Sequence, residues 1–196
     1  MSQTLGFSPF AILHHSDAPN PDRSDHWDWF IQFPTHFLAE ITRKMQASPA
    51  PVSPSPQFLL AFATTTPPEE WCDTTEFLRL TPHRQIYLTY QGVISGNRGS
   101  VLQVAQGTLQ WTSFEDFKIS FQLQRLQWIH DPQPQNTFLA PASLFSTPPT
   151  YSLELNIPTQ IQSSTQIPLP VSSVQPDDLP LWKLHRLDHA PRKENG

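Results

Sequence analysis

A mainly β fold, a single-domain barrel of antiparallel strands with one or two helices, is what the sequence predicts, on three observations. Its apolar or alternating runs are of strand length, and Gly, Pro, Asn or Asp separate them. Only one stretch carries a good helical period. The length of 196 residues suits one medium domain with appendages, since domains usually run about 100–200 residues. Closing such strands into a barrel also removes exposed sheet edges.

The elements follow in order. Residues 7–13 are apolar and end at His14-His15, and residues 27–33 are rich in aromatic and β-branched side chains, so both read as strands. Pro19, Asn20, Pro21 and Asp22 make residues 16–25 the loop between them. Thr35 is an N-cap candidate for a helix in which Phe37, Leu38, Ile41 and Met45 recur at helical spacing, with Pro49 beyond its end. Residues 47–57 form a Pro/Ser linker expected to be mobile or extended, and strand pattern resumes over 58–63. Residues 85–91, 100–106, 108–112, 117–124 and 126–129 read as meandering strands, and after a Pro-rich stretch over 131–150 residues 151–156 add one more. The barrel domain is thus expected over 1–156. Residues 157–196 form an extension whose Pro, Ser, Thr and Gln over 157–175 bury too little apolar surface to order it. Within it, Leu179, Leu181, Trp182, Leu184 and Leu187 mark a docking segment, helix or strand, of ambiguous period.

Composition narrows the function classes. With 37% hydrophobic and 15% charged residues, and 22 prolines against 6 glycines, the chain reads as a globular core with Pro-rich loops. A net charge of -5 excludes coating of nucleic acid by bulk charge while leaving a local site for DNA ends open. Cys72 is the sole cysteine, so no intrachain disulfide forms and a reducing cytoplasm fits. The N-terminus lacks the basic region of a signal peptide, and no apolar run approaches the roughly 18–20 residues of a membrane span.

Chemistry-bearing residues concentrate at His14, His15, Asp17, Asp22, Asp25, His26 and Asp28. Imidazole with carboxylate suits Mn²⁺ or Zn²⁺. Side chains alternate along a strand, so His26 and Asp28 share one face, and His15 supplies a third ligand if the two strands are neighbours. An accumulation of surface histidines around a solvated acidic loop gives the same string. A second group comprises His83, Arg84 and Tyr87, followed by Gly92, Gly96 and Gly99, whose glycines bracket Asn97-Arg98 in a tight turn. If extended, this segment puts His83 and Tyr87 on one strand face, and Arg84 and Arg98 become candidates to meet a phosphate. Taken alone, the group is better accounted for by a hairpin with a half-buried tyrosine.

Taken together, FAILHH with HWDWFIQ resembles the opening signature of the 3′-phosphoesterase domain family of bacterial DNA ligase D, F-V-V-Q-x-H leading to L-H-Y-D-x-R-L-E. PHRQIYLTYQGVISGNRGSV resembles that family's later block, H-P-x-x-Y-x-x-F-E-G followed by a Gly-rich turn, and LLAFA stands where the family has a strand L-x-x-W-A-V-P. The resemblance covers roughly residues 7–104. It implies a β-barrel in which His15, His26 and Asp28 ligate one divalent metal, Mn or Zn, and His83 and Tyr87 contact the scissile phosphate. It implies hydrolysis of 3′-phosphate or 3′-ribonucleotide DNA ends in DNA repair, alongside a separately encoded ligase or polymerase. The departures are specific: Phe30 stands for the family's Arg, Leu13 for its Gln, and Gln32 and Gln91 for its two Glu residues, and the loop between His15 and His26 is about five residues longer. Losing the Arg removes a bidentate, charge-assisted contact. Two other expectations therefore stand beside the enzyme: a weakened or inactive barrel that binds a DNA end or protein partner, and an unrelated small-molecule hydrolase using the same His/Asp edge.

Overall fold

The computed structural model describes residues 6–16, 25–33, 58–115, 118–129, 139, 149–156 and 181–187. The helix expected from Thr35, the linker over 47–57 and the segment 157–175 lie outside the described residues. Among the described residues no α-helix occurs, and no helix is long and apolar enough to cross a membrane.

Ten strands are described: β1 (Phe7–Ser16), β2 (His26–Gln32), β3 (Phe58–Thr64), β4 (Glu76–Arg79), β5 (His83–Arg84), β6 (Gly92–Val93), β7 (Ser100–Glu115), β8 (Lys118–Trp128), β9 (Thr150–Asn156) and β10 (Leu181–Arg186). Eight of them close an antiparallel barrel in the order β1-β2-β3-β4-β10-β9-β8-β7, with β7 pairing back to β1. The two-residue strands stand off the closed path, β5 against β3 and β6 against β7. The mainly β barrel is as the alternating pattern predicts.

Several elements differ from expectation. The runs 100–106 and 108–112 are one strand, because Gly107 continues the ladder, and the two runs expected after residue 117 meet in the single strand Lys118–Trp128. At Gly107 a Cβ would come within 2.0 Å of the Arg125 carbonyl oxygen and 2.7 Å of the Phe10 ring, so the missing side chain is what lets Phe10 fill the interior. Residues 85–91 are not a strand: Gln85–Leu88 form a 3-10 turn, closed by Thr89 N–H donating to the Ile86 carbonyl at 3.1 Å. The chain leaves β3 after two paired residues and turns over the outside of the wall, so its backbone groups are satisfied locally. The docking segment of the C-terminal extension is β10, inserted between β4 and β9, so the barrel continues past residue 156.

The interior holds Phe10, Ile12, Trp29, Ile31, Phe62, Phe77, Leu109, Trp111, Phe121, Tyr151, Leu153, Trp182 and Leu184, contributed by every barrel strand. A second, smaller cluster lies on the outer wall: Leu13, Phe30, Leu59, Ala61 and Val101 covered by Tyr87 and Ile94 from the 80–99 excursion. A bulge joins the two. Ile12 pairs Ala105 but Leu13 pairs Gln103, which leaves Val104 extra and turns the following β7 residues, Gln103 and Val101, to the outer face with Leu13 and His15.

Candidate metal centre

Strand pleating sends Trp27, Trp29 and Ile31 of β2 inward and His26, Asp28 and Phe30 outward. His15 pairs His26 directly across β1 and β2, so both rings rise from the same face, their centroids 4.6 Å apart. Asp28, opposite Leu13, completes the trio. One ligand atom from each of His15, His26 and Asp28 lies within 4.8 Å of the others. The site is therefore on the outer wall, under the 80–99 excursion.

Burial gives the trio its character. Asp28 is 4% exposed and His15 7%. His15 Nδ1 faces Asp28 Oδ2 at 3.6 Å and His26 Nε2 faces Oδ1 at 3.6 Å, distances too long for hydrogen bonds. Asp28 Oδ1 is buried with no hydrogen-bond partner among the described residues. An uncompensated buried carboxylate oxygen is costly, and a cation removes that cost. Zinc–nitrogen and zinc–oxygen bonds of about 2.0–2.2 Å in a tetrahedron separate neighbouring donors by about 3.3–3.6 Å. Each imidazole meets a different oxygen of Asp28 at 3.6 Å and the three ligand atoms lie within 4.8 Å, so a small inward adjustment of the side chains would reach that spacing. The three residues thus fit a divalent ion of the Zn²⁺ or Mn²⁺ kind.

The remaining residues of the first acidic cluster divide. His14, one position from His15, turns to the inner side at the barrel's end, stacks on Trp27 at 4.9 Å and pairs with Asp25 at 3.5 Å. Asp17 and Asp22 lie outside the described residues.

His83 and Tyr87 reach the same outer wall by different routes. His83 sits on β5 opposite Leu59, while Tyr87 comes from the 3-10 turn, so they do not share a strand face. Both pack on Phe30, His83 at 5.0 Å and Tyr87 at 5.4 Å in a stacked arrangement. Phe30 is two residues from Asp28 on one face, about 7 Å along the strand. His83 donates Nδ1–H to the Thr81 carbonyl at 2.7 Å, which leaves Nε2 as its working nitrogen.

Arg84 is exposed, and it follows His83 on a strand whose side chains alternate. Arg98 turns its Nε to the Ser95 carbonyl at 2.9 Å, while its own carbonyl accepts from His15 Nε2 at 2.6 Å. The group that touches the centre is Arg98's main chain, which no side-chain reading identifies. Gln103, 4% exposed, was also missed; its Nε2 donates to the Leu88 carbonyl at 3.2 Å and its N–H to Gln91 Oε1 at 3.4 Å, tying the 3-10 turn to β7. An open depression lined by Asp73, Glu154, His185, Arg186 and Leu187 shares no residue with this centre.

No protein-family model and no curated protein matches the chain.

Proposed function

We propose that the chain is a metal-dependent phosphoesterase acting on 3′-phosphate or 3′-ribonucleotide ends of nucleic acid, in the cytoplasm and beside a separately encoded ligase or polymerase. The convergence of His15, His26 and Asp28 around a buried, unpartnered carboxylate oxygen carries this reading. Held by His15, His26 and Asp28, a Mn²⁺ or Zn²⁺ ion would supply Lewis acidity at a phosphate oxygen and lower the pKa of water toward neutral pH. The protein's own residues do the rest. His15, His26 and Asp28 would hold the charge in place; from the neighbouring aromatic cluster, His83 would take a proton from the attacking water on its Nε2 lone pair while the Tyr87 hydroxyl would give one to the leaving oxygen, and the proton on His83 would then restore the tyrosine.

A non-catalytic barrel that keeps the ion and binds a DNA end or partner is the second reading. Phe30 supports it: the ring is 1% exposed beneath His83 and Tyr87, where the family it resembles carries a phosphate-binding Arg.

Metal analysis of purified protein, followed by a labelled duplex bearing a 3′-phosphate or 3′-ribonucleotide, separates the two. The enzyme reading expects one Mn²⁺ or Zn²⁺ per chain, lost in Asp28→Ala, and a turnover reduced about 10²–10⁴-fold in His83→Ala with metal retained. Wild-type rates in His83→Ala sink the mechanism. A metal-loaded but inert wild type leaves the binding module, and unchanged metal stoichiometry in Asp28→Ala removes the site.

A further inference from the structure

The turn between β6 and β7 reaches back to the centre from 83 positions along the chain. A carbonyl oxygen only accepts, so the 2.6 Å contact with Arg98 places the hydrogen on His15 Nε2, and a neutral His15 then keeps its lone pair on Nδ1. Nδ1 is the nitrogen that faces Asp28 Oδ2. Were the hydrogen on Nδ1 instead, it would occupy the space between His15 and the carboxylate.

What aims that carbonyl is backbone conformation. Gly96 and Asn97 have φ of 79° and 54°, the left-handed region that glycine and asparagine tolerate. Ile94 N–H donates to the Gly99 carbonyl at 2.8 Å and closes the loop, and the Arg98 side chain folds onto Ser95. The same segment is tied to the 3-10 turn through Tyr90, whose hydroxyl donates to the Val93 carbonyl at 2.5 Å. The groups over Phe30 and the group behind His15 thus belong to one continuous cover.

We propose that the Arg98 carbonyl is the positioning group of the metal centre: it fixes His15 as the Nε2–H tautomer, so that a divalent cation is taken through Nδ1, and the bound cation in return holds the 94–99 turn in place. The proposal rests on the metal reading above. A cation on Nδ1 withdraws density from the ring and strengthens the Nε2–H donor, and because coupling between two equilibria is reciprocal, whatever the turn gives the metal the metal gives the turn.

Long-range ¹H–¹⁵N correlation spectra of ¹⁵N-labelled protein, with and without Zn²⁺, test it. The expected spectra show His15 protonated at Nε2 in metal-free protein and a zinc-induced shift at Nδ1, accompanied by slower amide exchange at Ile94. A metal-free His15 protonated at Nδ1, or zinc taken through Nε2, overturns the proposal while leaving the metal site intact. Failure of the metal reading looks different: the ring nitrogens of His15 and His26 both stay unshifted by Zn²⁺. A Gly96→Val variant adds a second arm. A Cβ there meets only Arg98 Nε at 3.9 Å, so the substitution acts through φ. It should weaken Zn²⁺ binding about 10–100-fold, the usual effect of losing a partner behind a ligand, whereas Asn97→Gly should leave affinity unchanged. Wild-type zinc affinity in a folded Gly96→Val protein is the opposing result.

Discussion

The two faces of β2 carry opposite solutions to burial. Inward, Trp29 packs against Trp71 at 5.3 Å, Phe121 at 5.6 Å, Phe77 at 6.0 Å and Phe10 at 6.1 Å, leaving its own Nε1 without a hydrogen-bond partner. Outward, one residue away, the buried Asp28 keeps a carboxylate oxygen equally without a hydrogen-bond partner among the described residues. The inner vacancy is a donor whose cost a large ring can absorb; the outer one is a carboxylate oxygen that a cation or a hydrogen-bond donor would satisfy. The apolar interior and the candidate metal centre are thereby separated by a single step of the pleat.

A second outer wall sharpens the contrast. On the far side, Glu154 of β9 pairs across the ladder with Lys118 of β8, and Glu76 of β4 with Lys183 of β10 at 3.4 Å. Both of these carboxylates meet a lysine and remain half exposed. Around Asp28 the partners are imidazoles held beyond hydrogen-bond reach, which is what makes that wall the candidate metal centre.

The largest effect should come from the inner face. Trp29→Ala should cost about 3–5 kcal/mol in urea unfolding, as truncation of a fully buried aromatic does. A loss below about 1 kcal/mol, the scale of a surface change, would erase the distinction between the faces.

Phe30→Arg comes next and bridges the two. It introduces a guanidinium into the aromatic cluster beside Asp28, so folding should weaken by about 1–3 kcal/mol, comparable to an ill-fitting core substitution. If the enzyme reading holds, hydrolysis of a 3′-phosphate should rise in the same variant. Lower stability with unchanged or lower turnover would show that Phe30 is not what limits the site.

The smallest effect belongs to the far wall. Lys118 lowers the Glu154 carboxyl below the usual glutamate range, chiefly by its hydrogen bond. A carboxylate lowered in the folded state stabilises fully above its unfolded value and loses that contribution as pH falls through the folded one. The pair is half exposed, so Glu154→Gln should cost less than about 1 kcal/mol at neutral pH and flatten stability between pH 5 and 3. A larger loss would make this wall more than a solvated surface.

Much of the barrel was legible because alternation is written in side chains. In β2 the sequence HWDWFIQ separates His26 and Asp28 from the tryptophans, and the strand ending at His15 supplies the neighbour. Three features resisted. The run Ile86-Tyr87-Leu88 is apolar under either period, so a strand and a 3-10 turn look alike. Strand β4 is only four residues long and defined by its partners, β3 and β10, more than by its own pattern. The Arg98 carbonyl is invisible in principle, because main-chain atoms carry no residue identity; only the Gly-Asn pair hinted that the backbone bends sharply there.

The place of β10 has a consequence for how the molecule is made. Its neighbours β4 and β9 are both synthesised before it, and β10 fills the gap between them with three residue pairs on one side and six on the other. At translation rates of about 5–20 residues per second, the stretch between residues 156 and 181 takes about 1–5 s to appear. For that interval the nascent chain carries two facing, unpaired edges, the feature most prone to recruit strands from other chains. Chains that terminate before residue 181 keep those edges permanently, so premature termination should yield aggregates rather than a smaller barrel.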